Sequence, residues 1–407
     1  MPPKQQAHPQ ADSPSAGLPL IAIFTLASLT AVAPLGIDMY LAALPTIAEE
    51  FSSSAALTQF TLTSFMLGMG SGQFLVGPLS DKIGRLLPLR IGVFCCALAT
   101  LACAFAPTIQ TLILARFFMG FAGSIGLVLS RAIVTDSTRG KETARLMSIM
   151  MMINGLAPVL APILGGIVLS YGSWQDIFKL LALIITLSMI LVLAFIKESL
   201  PLERRRRGSL ASTYKGVIEV AQNPSYRGFM LTMVLAFGAL FAYISGSSYL
   251  LQKVLGLDAV HFTYVFGLNA LGIVIASTIS SRLVSRFAPV RLLTWGAWSL
   301  LASSALLTVH FLAGASLLPT LILLFTFTSS LGLVLGNASA LALSQVRQEA
   351  GAGSALLGTT QALMGALASP LVALGGSQAY LPMAVTMFGF ALLAVLALMR
   401  TPREAKN

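Results

Sequence analysis

Gly77-Pro78-Leu79-Ser80-Asp81-Lys82-Ile83-Gly84-Arg85 is a short charged passage between two apolar runs, residues 56–78 and 88–106, which together carry a single charge, Arg90. Each run holds about the 20 residues that a helix needs to cross the ~30 Å hydrocarbon core of a bilayer. The passage between them reads as a tight polar turn. Gly84 suits a left-handed or closely approached backbone, and Asp81, Lys82 and Arg85 supply charge to the neighbouring helix ends. Composition extends the pattern to the whole chain. Of 407 residues, 56% are hydrophobic and 10% are charged, with a mean hydropathy of +0.87. Soluble domains carry about 25% charged residues. A soluble enzyme, a nucleic-acid reader and a disulfide-stapled secreted domain are excluded, and a polytopic membrane protein is expected.

Charges and Gly/Pro breaks divide the chain into twelve apolar spans: 18–44, 56–78, 88–106, 109–131, 145–170, 174–196, 227–251, 260–282, 290–312, 317–341, 351–374 and 380–399. The two longest uncharged runs break at Gly314-Ala315-Ser316 and at Gly375-Gly376-Ser377-Gln378. Of 25 Lys and Arg, all but Lys179, Lys253 and Arg116 fall in the termini, the even-numbered connections or the adjoining helix ends. The positive-inside rule therefore places both termini in the cytoplasm. The expected organisation is a disordered tail at 1–17, a six-helix half at 18–197, a cytoplasmic linker at 198–226, a second half at 227–400 and a tail at 401–407. Within the linker, Arg204, Arg205, Arg206 and Arg207 suit anionic lipid headgroups and topology rather than nucleic acid. Cys95, Cys96 and Cys103 share one apolar stretch and read as small buried hydrophobes. A 6+6 layout is that of many secondary transporters built around a midplane site.

Phosphate loops, nucleophile elbows and zinc helices are absent: Gly140-Lys141, the only Gly-Lys pair, is followed by Glu142. No metal and no cofactor are expected, and transport is left to an ion gradient. His261 and His310 read as interfacial residues.

A charge at the bilayer centre costs at least about 2.5–3.5 kcal/mol, so charges inside spans mark ion or substrate paths. Asp38 is the only acidic residue deep in a span, with ten residues separating it from Glu49, which is about 15 Å of helix. Arg116 lies about 12 Å into the fourth helix from the same side. The two opposite charges reach similar depth. One reading is that Asp38 takes up and releases a proton while Arg116 holds its depth, sets its proton affinity or binds substrate. The other is a fixed structural ion pair or a permanently ionised Asp38. Near the same depth, Asn154, Asn269 and Gln361, with Tyr40 and Tyr243, are candidate substrate contacts. Phe237, Phe241 and Met66 among them suit an amphipathic organic molecule. Interhelical hydrogen bonding is the alternative for each.

The 77–85 passage resembles the loop motif G-x-L-x-D-R-x-G-R of the major facilitator superfamily, with Lys82 where Arg is usual. The resemblance implies that Gly77, Asp81, Gly84 and Arg85 latch the two halves on the cytoplasmic side. Ser281-Arg282-Leu283-Val284-Ser285-Arg286 looks like a degenerate copy in the second half. Arg116-Phe-Phe-Met-Gly120-Phe-Ala-Gly123, followed by Arg131-Ala-Ile-Val-Thr-Asp136, resembles the superfamily's fourth-helix motif, whose buried arginine is linked to proton transfer. Arg131 can snorkel and, with Asp136, is given a gating role. Asn154-Gly155-Leu156-Ala157-Pro158-Val159-Leu160-Ala161-Pro162-Ile163-Leu164-Gly165-Gly166 resembles the antiporter motif G-P-x-x-G-G, with Ala161 at a usual glycine. Its prolines remove backbone donors and its glycines allow close packing.

Gly36-Ile37-Asp38-Met39-Tyr40-Leu41-Ala42-Ala43-Leu44-Pro45 and Ile196-Lys197-Glu198-Ser199-Leu200-Pro201 resemble the Bcr/CflA group of bacterial drug exporters. The group implies an all-α fold of twelve transmembrane helices in two pseudo-symmetric halves. It also implies proton-driven export of small amphipathic drugs across the bacterial cytoplasmic membrane. A proton-coupled transporter of a metabolite, such as an amino acid or purine nucleoside, is the alternative. Expected partners are the substrate, protons and membrane lipids, with no nucleic acid, and the chain is expected to be a monomer.

Overall fold

The computed structural model describes residues 18–205, 210–346, 349–374 and 380–402. The expected tail 1–17, Arg206 and Arg207, the Gly375–Gln378 break and residues 403–407 lie outside them. No strand occurs among the described residues. Twelve long helices run in order among the described residues: α1 (Leu20–Asp38), α2 (Ala55–Ile83), α3 (Leu86–Ala104), α4 (Ile109–Ser137), α5 (Gly140–Tyr171), α6 (Trp174–Phe195), α7 (Pro224–Ser248), α8 (Ala259–Leu283), α9 (Pro289–Leu312), α10 (Leu317–Ser344), α11 (Ala350–Ala373) and α12 (Tyr380–Arg400). Helices satisfy every backbone group within the segment, which lipid demands. Eleven spans are long and apolar enough to cross a membrane by length and composition. The twelfth, α2, is made less apolar by Thr58, Gln59, Thr61, Thr63, Ser64 and Gln73, all buried. Those side chains are kept from lipid because α2 packs between α4 and α11.

The helix pairings repeat with an offset of six. Within the first half α1 packs on α4, α5 and α6, α2 on α4, and α3 on α4 and α6; α7, α8 and α9 make the corresponding contacts in the second. Across the halves, α2 packs on α11 and α5 on α8, which are again equivalent pairs. The α2–α4 crossing is backbone to backbone. A Cβ on Gly68 would lie 2.0 Å from the Phe117 carbonyl oxygen, and one on Gly120 2.1 Å from that of Phe65. In lipid, where apolar burial does not drive helix association, such close approach through small residues is what holds helices together.

Three sequence expectations need correction, two about boundaries and one about burial. The 77–85 passage is not a turn throughout: α2 continues through Gly77 and Pro78 to Ile83, and the chain reverses at Gly84 and Arg85. Gly84 has φ +100°, and a Cβ there would meet the Glu198 and Arg205 side chains. Second, α4 runs six residues past Arg131 and α5 begins five residues before Arg145. Charges mark the edge of the bilayer, not the end of a helix. At 29 residues α4 is about 43 Å long, well beyond the ~30 Å apolar core. Third, Cys95 is exposed on the outside of the bundle, while Cys96 and Cys103 are buried.

The first span is also interrupted. α1 stops at Asp38, a single 3-10 turn covers Leu41–Ala43, and a short helix follows at Leu44–Glu50. Pro45 lacks the N–H that a continuous α-helix would donate to the Leu41 carbonyl. That carbonyl accepts from Leu44 N instead. The break falls directly behind the one acidic residue at depth.

Candidate functional site

A cavity of about 900 Å³ lies between the halves, walled by α1, α2, α4 and α5 on one side and α7, α8, α10 and α11 on the other. Its direction follows from how α5 and α8 diverge. Toward the end away from the termini, a Cβ on Gly166 would lie 2.8 Å from the Thr263 side chain, and one on Gly267 3.6 Å from the Val159 carbonyl oxygen. Toward the end that carries the termini, the same helices separate, and Ser148, Met151, Met152, Ser277, Thr278 and Ser281 all line the cavity. The cavity therefore opens toward the terminal end and is closed at the far end.

That closure is built on the interrupted segment behind Asp38. A single π-helical turn, Tyr249–Val254, extends α7. From it Gln252 Nε2 donates to the Ala42 carbonyl at 3.0 Å, Tyr249 Oη donates to the Leu44 carbonyl at 3.5 Å, and Lys253 pairs with Glu49. On the first-half side, Glu50 accepts from Trp174 Nε1 at 2.6 Å and Gln175 Nε2 at 2.9 Å. Nothing in the sequence singles out Gln252; only Pro45 signals that the chain it meets is irregular.

Asp38, the last residue of α1, stands in the cavity wall. It is 5% exposed, and its Oδ1 is buried with no hydrogen-bond partner. Arg116 makes no ion pair with it. The guanidinium is fully buried outside the cavity, stacked 4.3 Å from the Tyr40 ring centroid and 4.4 Å from that of Phe65. Its Nη1 donates to the Gly36 carbonyl at 2.7 Å. Because the helix ends at Asp38, that carbonyl is one of the acceptors a helix C-terminus leaves over. Arg116 thus caps the end of α1, two residues before the carboxylate.

Of the candidate substrate contacts, Asn154, Tyr243 and Gln361 line the cavity. Tyr40 does not: it is fully buried under Arg116, with Oη 2.9 Å from Thr61 Oγ1. Asn269 stands behind the wall and donates to Tyr243 Oη at 2.8 Å, orienting a ring that stacks on Phe266 at 5.4 Å. On α5, Gly155 and Pro158 face the cavity. Pro162, Gly165 and Gly166 are buried beyond it, and a Cβ on Gly165 would lie 1.9 Å from the Met39 carbonyl oxygen. Four methionines, Met66, Met69, Met151 and Met152, join Phe237 and Phe241 in the wall. Thioether side chains adapt to varied apolar shapes.

The motif residues at the terminal end form a separate cluster. Arg85 Nε bonds Asp136 Oδ2 at 2.9 Å, and its Nη1 bonds Asp81 Oδ1 and Ser80 Oγ, each at 2.6 Å. Gly84 makes the turn there; Gly77 lies within α2, with open space where a side chain would be. All these partners belong to the first half or the linker, and no bond from the cluster reaches the second half among the described residues. Arg131 is not part of the cluster and lines the cavity.

Glu198 completes the cluster by accepting from Arg85 N at 2.9 Å and Leu86 N at 3.2 Å, at the start of α3. Burial pushes its carboxyl upward, but the N–H groups of Arg85, Leu200 and Leu86 and the charge of Arg205 outweigh it and hold it below the ordinary carboxylate range. Its contribution to stability is therefore full above about pH 5 and is lost as pH falls through the depressed folded value. Glu198→Gln is expected to melt below wild type at neutral pH, with the gap closing on acidification. Thermal melts in detergent from pH 7 to 3.5 check this; a gap that widens toward acid contradicts it.

Residues 26–369 match the family model described as Major Facilitator Superfamily. The chain belongs to the major facilitator superfamily. It is therefore a multi-pass membrane transporter, not an enzyme. An uncharacterised superfamily transporter of Bacillus subtilis, YdgK, is 38% identical over 385 residues, covering 94% of this chain and 95% of that one. The bicyclomycin resistance protein homolog of Haemophilus influenzae is 30% identical over 387 residues, covering 93% and 95%. In fold, the chain resembles the crystal structure of the D-xylose-proton symporter, with a TM-score of 0.70 over 94% of this chain and 97% of that one at 16% identity. A superfamily member with its cavity open at one end and bonded shut at the other is in one of the conformations a transporter passes through.

Proposed function

We propose that this transporter exports small amphipathic compounds, of the bicyclomycin or phenicol kind, from the bacterial cytoplasm in exchange for protons, by alternating access and with both termini cytoplasmic. The observation that carries the reading is the Asp38 carboxylate, unpaired in the wall of a largely apolar cavity, at the junction where α1 breaks. An ionised carboxylate in such surroundings is unfavourable unless water or a substrate group meets it, and protonation relieves it. The segment behind it carries the far-end closure through Ala42, Leu44 and Glu49. A proton gained or lost at Asp38 thus acts on the residues that bind the halves together. Arg116 serves by holding the end of α1 rather than by meeting the proton. The positive-inside charge pattern supports the orientation, and the likeness to a bicyclomycin resistance homolog supports drugs as substrates.

The test is a susceptibility panel in a bacterium lacking its own efflux pumps, comparing wild type with Asp38→Asn at matched membrane abundance. Bicyclomycin, phenicols, sulfonamides and cationic dyes make up the panel. Wild type is expected to raise the inhibitory concentration of at least one compound several-fold, and Asp38→Asn to return it to the empty-vector level. Protection retained in Asp38→Asn removes the coupling role; no protection by wild type removes drug export and favours a metabolite.

A further inference from the structure

Among the described residues, Asp38 and Arg131 are the two charged side chains in the cavity wall, and only the first has a place in the proposed exchange. Two other arginines of the first half, one on α4 and one beside it, have their charge met by partners away from the cavity. Arg85 is held by Asp81, Ser80 and Asp136, and Arg116 by Gly36 and two aromatic rings. The Arg131 guanidinium has no hydrogen bond or ion pair among the described residues. Asp136, the nearest acid along α4, is taken by Arg85 and Ser199.

Nor does Asp38 neutralise it. Gly123 of α4 faces Val32 of α1, and Gly126 faces Leu29, so the helices run antiparallel with paired numbers summing to a constant. Arg131 then lies level with about residue 24, and the 14 residues from there to Asp38 amount to about 20 Å. At that separation the two side chains make no ion pair, and each charge faces its own part of the cavity. The cavity is thus polarised along its axis, with an acid at its closed end and a free cation toward its mouth. Low-dielectric walls concentrate the field of a single charge in such a cleft. A guanidinium in particular binds carboxylates through two parallel hydrogen bonds. Met151 and Met152, 70% and 58% exposed, lie on the neighbouring stretch of α5 and offer an adaptable apolar surface beside it.

We propose that Arg131 is an anion subsite of the cavity, selecting amphipathic substrates that carry a carboxylate or similar acidic group apart from their apolar body. The proposal rests on the reading of the cavity as the substrate site, and it deepens that reading by naming a substrate class. The same chemistry is found in an acidic lipid headgroup, which could enter where α5 and α8 separate, so the test distinguishes the two sources.

Chloramphenicol and its hemisuccinate ester share one body and differ by a carboxylate. Their equilibrium binding is measured on the purified full chain in nanodiscs of phosphatidylcholine alone and of phosphatidylcholine with phosphatidylglycerol. In phosphatidylcholine, wild type is expected to prefer the hemisuccinate by about tenfold, as charge-assisted pairing exceeds neutral hydrogen bonding. Arg131→Gln is expected to remove that preference, bringing hemisuccinate affinity to that of chloramphenicol on the same variant, and Arg131→Lys, which keeps charge but loses the fork, to retain part of it. A wild type without preference in phosphatidylcholine, or a preference that survives Arg131→Gln, overturns the proposal. So does an Arg131→Gln effect confined to phosphatidylglycerol retention, which assigns the site to lipid. The readout needs no pH gradient, so it fails separately from proton coupling; absence of binding by either compound to wild type would instead strike the substrate reading itself and the proposal with it.

Discussion

Gly165→Val is expected to abolish transport and to lower the melting temperature of the purified protein by several degrees. The reason lies in what a side chain would meet. A Cβ at 165 would lie 1.9 Å from the Met39 carbonyl oxygen and 2.7 Å from its carbon. These are backbone atoms of the interrupted segment, without the rotamer freedom that lets a flexible side chain step aside. Overpacking of this kind costs about 1–3 kcal/mol and sometimes more. The displaced residues are those between Asp38 and the carbonyls of Ala42 and Leu44, which accept the closing bonds from α7, so activity falls further than stability. Gly389→Val is the control: a Cβ there has nothing within 4 Å, and its melting temperature and transport are expected to match wild type. Equal behaviour of the two variants in melts and efflux assays would mean that α5 does not brace the break in α1.

Arg116→Lys is the second large effect. Lysine keeps the charge but presents no plane to the Tyr40 and Phe65 rings, and its ammonium cannot both sit between those rings and donate to Gly36 O as Arg116 Nη1 does. Losing the stacking, worth about 0.5–2 kcal/mol, and leaving a buried carbonyl unpaired, about 1–3 kcal/mol, predicts destabilisation of about 1.5–5 kcal/mol. Transport is expected to fail because the end of α1 is no longer fixed where Asp38 leaves it. Melting and efflux of Arg116→Lys are measured together. A variant that melts and transports like wild type removes the capping role; one that melts like wild type but loses only the pH dependence returns Arg116 to direct proton handling.

Depth along a helix was enough to find both Asp38 and Arg116, since each is the exceptional charge of its span. Depth says nothing of facing, and so the two residues at one level proved to occupy different surroundings, one in a cavity wall and one in an aromatic cage. Tyr40 lies beyond the end of α1, in the irregular passage before the 3-10 turn, so helical spacing from Asp38 does not give its facing. Asn269 was beyond reach, because its partner Tyr243 sits on another helix and only tertiary packing brings them together. The twelve helices followed from apolar length, yet their ends did not. A charge stops a span at the headgroups but leaves helix propensity intact, as in the stretches after Arg131 and before Arg145. The polar face of α2 shows the converse: a span whose hydropathy is lowered by buried Thr, Ser and Gln side chains keeps its place in the bundle because α4 and α11 cover them.

The central claim is that Asp38 carries the proton that exchanges for substrate. It is tested most directly by reconstituting wild type and Asp38→Asn in vesicles with an imposed pH gradient and following internal pH when a panel compound that wild type protects against is added. Substrate is expected to dissipate the gradient through wild type and to leave it standing with Asp38→Asn, while both still bind the compound. Gradient collapse through Asp38→Asn at the wild-type rate would contradict the account.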